Sequence, residues 1–108
     1  MRLTVSVIIP THNRVEFLLN ALGSLHCQTK RPHEIIVVDD GSTDHTRKII
    51  SESDFKITYV YQKNRGVAAA RNAGIARASG DVIAFLDDDD LLLPKAFELT
   101  VNHLENEN

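Results

Sequence analysis

A single cysteine, Cys27, leaves the chain without an internal disulfide and without the second thiol that a zinc cluster needs. That usage is compatible with a reducing compartment, and the cytoplasm is the expected location. No apolar run approaches the ~20 residues that cross a bilayer, so no membrane segment is expected. The first apolar strand starts too near Met1 to leave room for a signal peptide. There is no basic stripe either: the formal net charge is −3, which argues against nucleic acid as a partner, because a phosphate backbone must be neutralised by clustered lysine and arginine. Missing motifs narrow the field further. The turn after the first apolar run reads Pro10-Thr11-His12-Asn13-Arg14 instead of Gly-x-Gly-x-x-Gly, which disfavours a nicotinamide or flavin site. Neither a Walker A loop nor a Gly-x-Ser-x-Gly elbow occurs, which removes P-loop NTPases and hydrolases of the elbow type.

What is present fits one small domain. With 108 residues, 43% hydrophobic and 25% charged, the composition is that of an ordinary globular protein. A chain of this size buries a little over ~60% of its unfolded surface, enough for one modest core. No linker, repeat or low-complexity segment interrupts it.

Two periodicities alternate along the chain. Val5, Val7, Ile8 and Ile9 form a β-branched run ended by Pro10, the pattern of a strand buried on both faces. Phe17, Leu18, Ala21, Leu22 and Leu25 trace a helical stripe within 15–29. Ile35 to Val38 predict a second strand, and a helix over 43–53 follows with Ser42 or Thr43 as its N-cap. A less clean strand over 57–61 precedes an alanine-rich helix over 67–78, in which Ala70, Gly74 and Ala78 give a smooth face for close packing on a sheet. Val82 to Leu86 predict a fourth strand, and Pro94 opens a last helix carrying Phe97, Val101 and Leu104. Strands separated by helices imply a Rossmann-like, doubly wound, mainly parallel sheet of about four strands with helices on both faces.

In such a sheet, ligands bind outside the carboxyl ends of the strands. The segments that follow the four strands are Thr11 to Arg14, Asp39 to Ser42, Gln62 to Gly66 and Asp87 to Asp90, all polar and two of them acidic. The opposite ends, Arg31-Pro32-His33 and Ser79-Gly80-Asp81, read as plain turns. Adjacent carboxylates repel and raise one another's pKa unless a cation offsets them, and Mg2+ or Mn2+ takes one or two carboxylates together with substrate phosphates. The quartet is therefore either a metal site or a solvated acidic loop. Asp39 and Asp40 stand where dinucleotide folds place the acid that accepts a ribose hydroxyl, and a carboxylate equally accepts the N–H of a base. The competing role is an Asp-Gly-Ser turn, with Asp40 the residue expected to cap the following helix. Arg71 is either a helix-surface arginine or a fork for carboxylate, base or phosphate. Thr11, Asn13 and Arg14 line a base pocket or serve as ordinary capping residues, and His12, Tyr59 and Tyr61 read as structural.

Taken together, Val7 to Arg14, Val37 to Asp44, Asn64-Arg65-Gly66 with Ala70 to Gly74, and Gly80-Asp81 with Phe85 to Asp90 resemble the successive motifs of family 2 glycosyltransferases with the GT-A fold. The resemblance implies a nucleoside-diphosphate sugar, a UDP-sugar by preference, as donor and Mn2+ or Mg2+ as cofactor. It gives Asp39 the base and Thr11 a place beside it, sets Arg71 near the base and the acidic motif, and identifies Asp87 and Asp89 as an Asp-x-Asp pair with Asp89 on the metal and Asp88 between them. Any two of four identical residues fit that pair. Inverting transfer to an acceptor hydroxyl is the implied reaction. Family members continue beyond the acidic motif into an acceptor-binding region with a general base, so residues 1–108 are expected to be the donor half, with the catalytic base in an absent C-terminal part and a bare apolar face that drives self-association. The alternatives are a nucleotide-binding module without turnover and a nucleotidyltransferase. A nucleotidyltransferase would carry a glycine- and arginine-rich loop after the first strand, and a receiver domain would carry its acidic pair there. Neither pattern is present.

Overall fold

The computed structural model describes residues 3–89. The helix expected from Pro94 lies outside them, as does Asp90. The described elements run β1 (Val5–Thr11), α1 (Val15–His26), β2 (Glu34–Asp40), α2 (Thr46–Ser51), β3 (Thr58–Gln62), α3 (Val67–Arg77) and β4 (Val82–Phe85). The strands form one parallel sheet in the order β3-β2-β1-β4.

Strand periodicity sorts the side chains onto two faces. Val5, Val7, Ile9, Ile35 and Val37 join Leu18, Ala21, Leu22 and Leu25 of α1 and Ile50 of α2 in one core. Ile8, Ile36 and Val38 meet Ala70 of α3 in the other. Each fully buried aliphatic side chain contributes roughly 1.5–3 kcal/mol through its removal from water, so β1 and β2, apolar on both faces, form the stable centre. Helix α3 sits close because Gly74 lacks a side chain: a Cβ there would come within 2.5 Å of Ile8 Cγ2. The smooth face expected at Ala70, Gly74 and Ala78 is thus the packed one.

Three local expectations need correction. Strand β1 continues through Pro10 to Thr11. Proline lacks an amide hydrogen, and it is tolerated because pairing with β4 ends at Ile8↔Phe85, leaving that side of Pro10 without a ladder partner. Helix α2 starts at Thr46, later than expected, and neither Ser42 nor Thr43 caps it. Asp44 Oδ1 instead accepts the backbone N–H of Thr46 at 3.0 Å and its hydroxyl at 2.5 Å. Asp39, and not Asp40, closes the Asp-Gly-Ser turn, with its Oδ1 accepting the Ser42 N–H at 2.8 Å.

At the amino ends, polar contacts fasten the α3–β4 turn to the sheet. Glu34 Oε2 accepts from Ser6 Oγ (2.6 Å) and from the Ser79 amide (2.5 Å), and Ser6 Oγ accepts the Gly80 N–H (2.8 Å). These bonds hold the Glu34 carboxyl below its ordinary range. On β4, Ile83 and Phe85 stay exposed, on the face that α3 covers farther along the sheet.

Candidate functional site

The chain leaves β1 toward β2 and β3, then returns from β3 to β4 on the other side of β1. The strand order therefore reverses between β1 and β4, and the carboxyl end of that seam is where an open α/β sheet offers a crevice. The seam is closed there by Thr11, whose hydroxyl donates to Asp88 Oδ2 at 2.9 Å. Asp88 is buried, whereas Asp87 and Asp89 point outward with side chains 58% and 47% exposed. Burial pushes the Asp88 carboxyl above its ordinary range. The Thr11 bond and the Arg14 charge oppose that rise, and its acidic neighbours add to it.

Two arginines flank the acidic segment. Arg14, just before α1, places Nη2 3.2 Å from Asp89 Oδ2 and Nε 3.6 Å from Asp88 Oδ1. Arg71, on α3, places Nη2 3.6 Å from Asp87 Oδ1, with its guanidinium carbon 5.5 Å from the centroid of the Phe85 ring. Its Nε is buried and meets no acceptor among the described residues.

The two aspartates at the end of β2 have separate duties, because successive side chains of a strand face opposite sides. Asp39, completely buried, accepts from the Ser42 amide and from the Tyr59 hydroxyl. Burial, followed by the bond to Asp39 and its charge, pushes the Tyr59 phenol well up. Asp40 faces the α3 side. Its Oδ1 accepts from Gln62 Nε2 (2.9 Å) and the Arg65 amide (2.8 Å), and its Oδ2 accepts from the Gly66 amide (2.9 Å). Burial raises the Asp40 carboxyl, but the three bonds outweigh it and hold the group below its ordinary range. Gly41, at φ +84°, passes so close to Asn64 that a Cβ would lie 2.8 Å from the Asn64 amide nitrogen. The loops after β2 and β3 are thereby locked together.

Asn13 works in the same framework. It adopts φ 53°, a left-handed conformation that asparagine tolerates, and its Oδ1 accepts the amides of Thr43 (2.7 Å) and Asp44 (3.1 Å). His12 Nδ1 donates to the Asp40 carbonyl at 2.8 Å, which leaves Nε2 as acceptor toward the Asn13 amide at 3.3 Å. His12 thus ties the end of β1 to the end of β2 and also lines the rim cleft, and Tyr59 ties β3 to Asp39.

A cleft of about 240 Å³ opens at this rim, lined by Thr11, Arg14, Asp40, Asn64, Ala70 and Asp88 among others. Asp39, Asn13, Arg71, Asp87 and Asp89 share the rim without lining the cleft. A roomier cavity, about 380 Å³, lies at the amino ends near His26, Arg31 and His33, away from the acidic segment. Sequence reasoning missed Ser42, Gln62 and Asn64 as organisers of the rim. The Asp-Gly-Ser spacing was the one available signal for Ser42.

Asp87 and Asp89 offer exposed oxygen donors of the type hard divalent cations take. Among the described residues no third histidine, cysteine or acid joins them into a cluster. Two carboxylates alone do not form a closed protein cage, so a divalent cation held there would need further oxygen ligands from elsewhere.

The parallel 3-2-1-4 order is that of an open doubly wound α/β sheet, and the structural neighbours of the chain place it among domains of the GT-A type. Residues 6–108 match the family described as glycosyl transferase family 2, and the chain belongs to that family. It is 44% identical over 106 residues to an uncharacterised glycosyltransferase of Rickettsia felis, covering 96% of this chain and 18% of that protein. The crystal structure of S. aureus TarS superposes with a TM-score of 0.85 at 28% identity, covering 95% of this chain and 20% of TarS. A shorter TarS chain in complex with UDP-GlcNAc gives 0.81 at 28% identity, covering 95% and 31%. The mannosyltransferase PcManGT of Pyrobaculum calidifontis, in complex with GDP-Man and Mn2+, gives 0.80 at 29% identity, covering 97% and 32%. The chain spans 15–31% of the length of the first four curated relatives. Among the described residues no helix is long and apolar enough to cross a membrane.

Proposed function

We propose that residues 1–108 are the donor-binding portion of a glycosyltransferase, taking a nucleoside-diphosphate sugar, a UDP-sugar by preference, for inverting transfer to an acceptor hydroxyl. The carrying observation is the Thr11–Asp88 bond, which draws the acidic segment onto the rim beside Asp40 and Arg14. The UDP-GlcNAc and GDP-Man complexes of its neighbours support a nucleotide sugar as ligand.

In this reading Asp89, with Asp87, would hold a divalent cation, Mn2+ or Mg2+. When bound, that cation supplies positive charge for the leaving nucleoside diphosphate. The chain's own residues do the rest. Arg14 and Arg71 present planar forks that match phosphate oxygens. Asp40 ties down the turn at Arg65–Gly66 and Asn13 ties down the turn at 42–44, which orders the loops around the cleft. Base recognition at Asp39 follows the family motif, and in this structure its carboxylate is enclosed, bonded to the Ser42 amide and the Tyr59 hydroxyl. No described carboxylate is assigned as general base. Self-association would draw on the exposed Ile83 and Phe85 of β4.

Calorimetric titration with UDP, GDP and dTDP, each with and without Mn2+, tests the reading. UDP binding that strengthens with Mn2+ and loses that dependence in Asp89→Ala is the expected result. Binding that ignores Mn2+ and survives the substitution overturns the metal assignment.

A further inference from the structure

Three consecutive carboxylates, Asp87, Asp88 and Asp89, stand at one strand end, and like charges so close need a positive partner. The protein supplies it from both sides. Arg71 reaches Asp87, and Arg14 reaches both Asp88 and Asp89. Arg14 is suited to more than a static bridge. Its side chain is 44% exposed, its guanidinium carbon rests 4.9 Å above the Phe17 ring centroid, and it lines the cleft. A guanidinium is always charged and pairs equally well with carboxylate or phosphate. Its contact with Asp89 is exposed, and exposed ion pairs are weak. Asp88 has a second hold through Thr11, so the segment keeps its anchor when Arg14 leaves.

We infer that Arg14 is a placeholder cation: it neutralises Asp88 and Asp89 while no metal is bound, and it turns to the ligand's diphosphate when a divalent cation takes Asp89. This rests on the donor-and-metal reading above and goes beyond it, because it gives Arg14 opposite effects on the two ligands. Toward the metal alone Arg14 is a competitor. Toward the diphosphate alone it is a partner. A residue that only supported the fold would shift both affinities the same way.

The test measures each ligand separately in the wild-type protein, Arg14→Gln, Arg14→Lys and a control, Arg47→Gln, whose arginine lies over Tyr61. Mn2+ binding without nucleotide is followed by the electron paramagnetic resonance signal of the free ion, and UDP binding is followed by calorimetry in a chelator. Arg14→Gln is expected to bind Mn2+ about two- to five-fold more tightly, the gain that follows from removing one exposed ion pair, and to bind UDP several-fold more weakly. Arg14→Lys keeps the charge, so its Mn2+ affinity stays within about two-fold of wild type, while its lost fork still weakens UDP binding. Arg47→Gln changes neither. Mn2+ binding to Arg14→Gln that is unchanged or weaker, with wild-type protein binding UDP and Mn2+ together, overturns the placeholder role alone. Wild-type UDP binding that ignores Mn2+ overturns the donor-and-metal reading and the placeholder with it.

Discussion

Thr11 and Asp88 stand 77 residues apart in the chain and meet through a 2.9 Å hydrogen bond, which fixes the acidic segment to the end of β1. The hydroxyl donates to a buried carboxylate that sits above its ordinary pKa range, so the bond matters most when Asp88 is ionised. Thr11→Val leaves that carboxylate without its donor, an expected loss of about 1–3 kcal/mol at neutral pH. The sign follows from linkage. An acid whose folded pKa is raised stabilises the fold when protonated and loses that contribution as pH rises through its folded value. Removing the Thr11 bond raises that value further. The stability gap between Thr11→Val and wild type should therefore be small in acid and widen toward neutrality, as read by urea unfolding across pH. A gap independent of pH would show that the bond does not sense the charge on Asp88.

Asp40 carries the opposite shift. Three donors converge on its carboxylate, and its pKa lies below the ordinary value of 3.8. Its stabilising contribution is complete above the unfolded-state value and fades as pH falls through the folded one. Asp40→Asn turns an amide NH2 toward backbone N–H donors and is expected to cost about 1–3 kcal/mol at neutral pH. The penalty should shrink in strong acid, where wild-type Asp40 is itself protonated. Chemical denaturation at neutral and at strongly acid pH checks both points.

The sheet and its helices were legible because short β-branched apolar runs alternate with stripes of period 3.6, with only β3 reading less cleanly, and Ala70-x3-Gly74 announced the close approach of α3. The site was legible as a rim and less so in its parts. Adjacent aspartates look identical in sequence, yet strand alternation sends Asp39 toward Tyr59 and Asp40 toward α3. In the acidic quartet, Asp88 turns inward while Asp87 and Asp89 stay outside, a choice set by the distant hydroxyl of Thr11. The start of α2 was misplaced because Ser42 and Thr43 looked like caps, while the Ser42 hydroxyl accepts the distant Asn13 amide, Asn13 Oδ1 takes the Asp44 amide, and Asp44 receives the Thr46 amide at the helix start.

Gly74 tests how tightly α3 is seated. Gly74→Ala brings Cβ to 2.5 Å from Ile8 Cγ2, with Ile8 Cδ1 and Cγ1 at 3.1 Å, inside a fully buried contact. Overpacking of this kind costs about 1–3 kcal/mol. The clash is with Ile8 alone among the three nearest atoms, so the double variant Ile8→Ala/Gly74→Ala should be less unstable than the sum of the single variants. Strict additivity in a double-mutant cycle would mean that α3 shifts as a body and does not press on Ile8.

Tyr59 reports on the enclosure of Asp39. Its hydroxyl donates to a carboxylate with no solvent exposure, and burial together with that bond pushes the phenol above its ordinary value of 10.0. A phenol raised in this way stabilises the folded protein in full below the unfolded-state value, and that contribution is lost as pH climbs above it. In an ultraviolet titration, one tyrosine should therefore stay un-ionised past pH 10.0 until the fold gives way, and Tyr59→Phe should abolish that delayed component. The same substitution leaves one oxygen of Asp39 without its donor and is expected to destabilise the protein by about 1–3 kcal/mol at neutral pH. Chemical denaturation of Tyr59→Phe and wild type at neutral pH checks this loss, and equal stability of the two would show that the Asp39 bond contributes nothing to the fold.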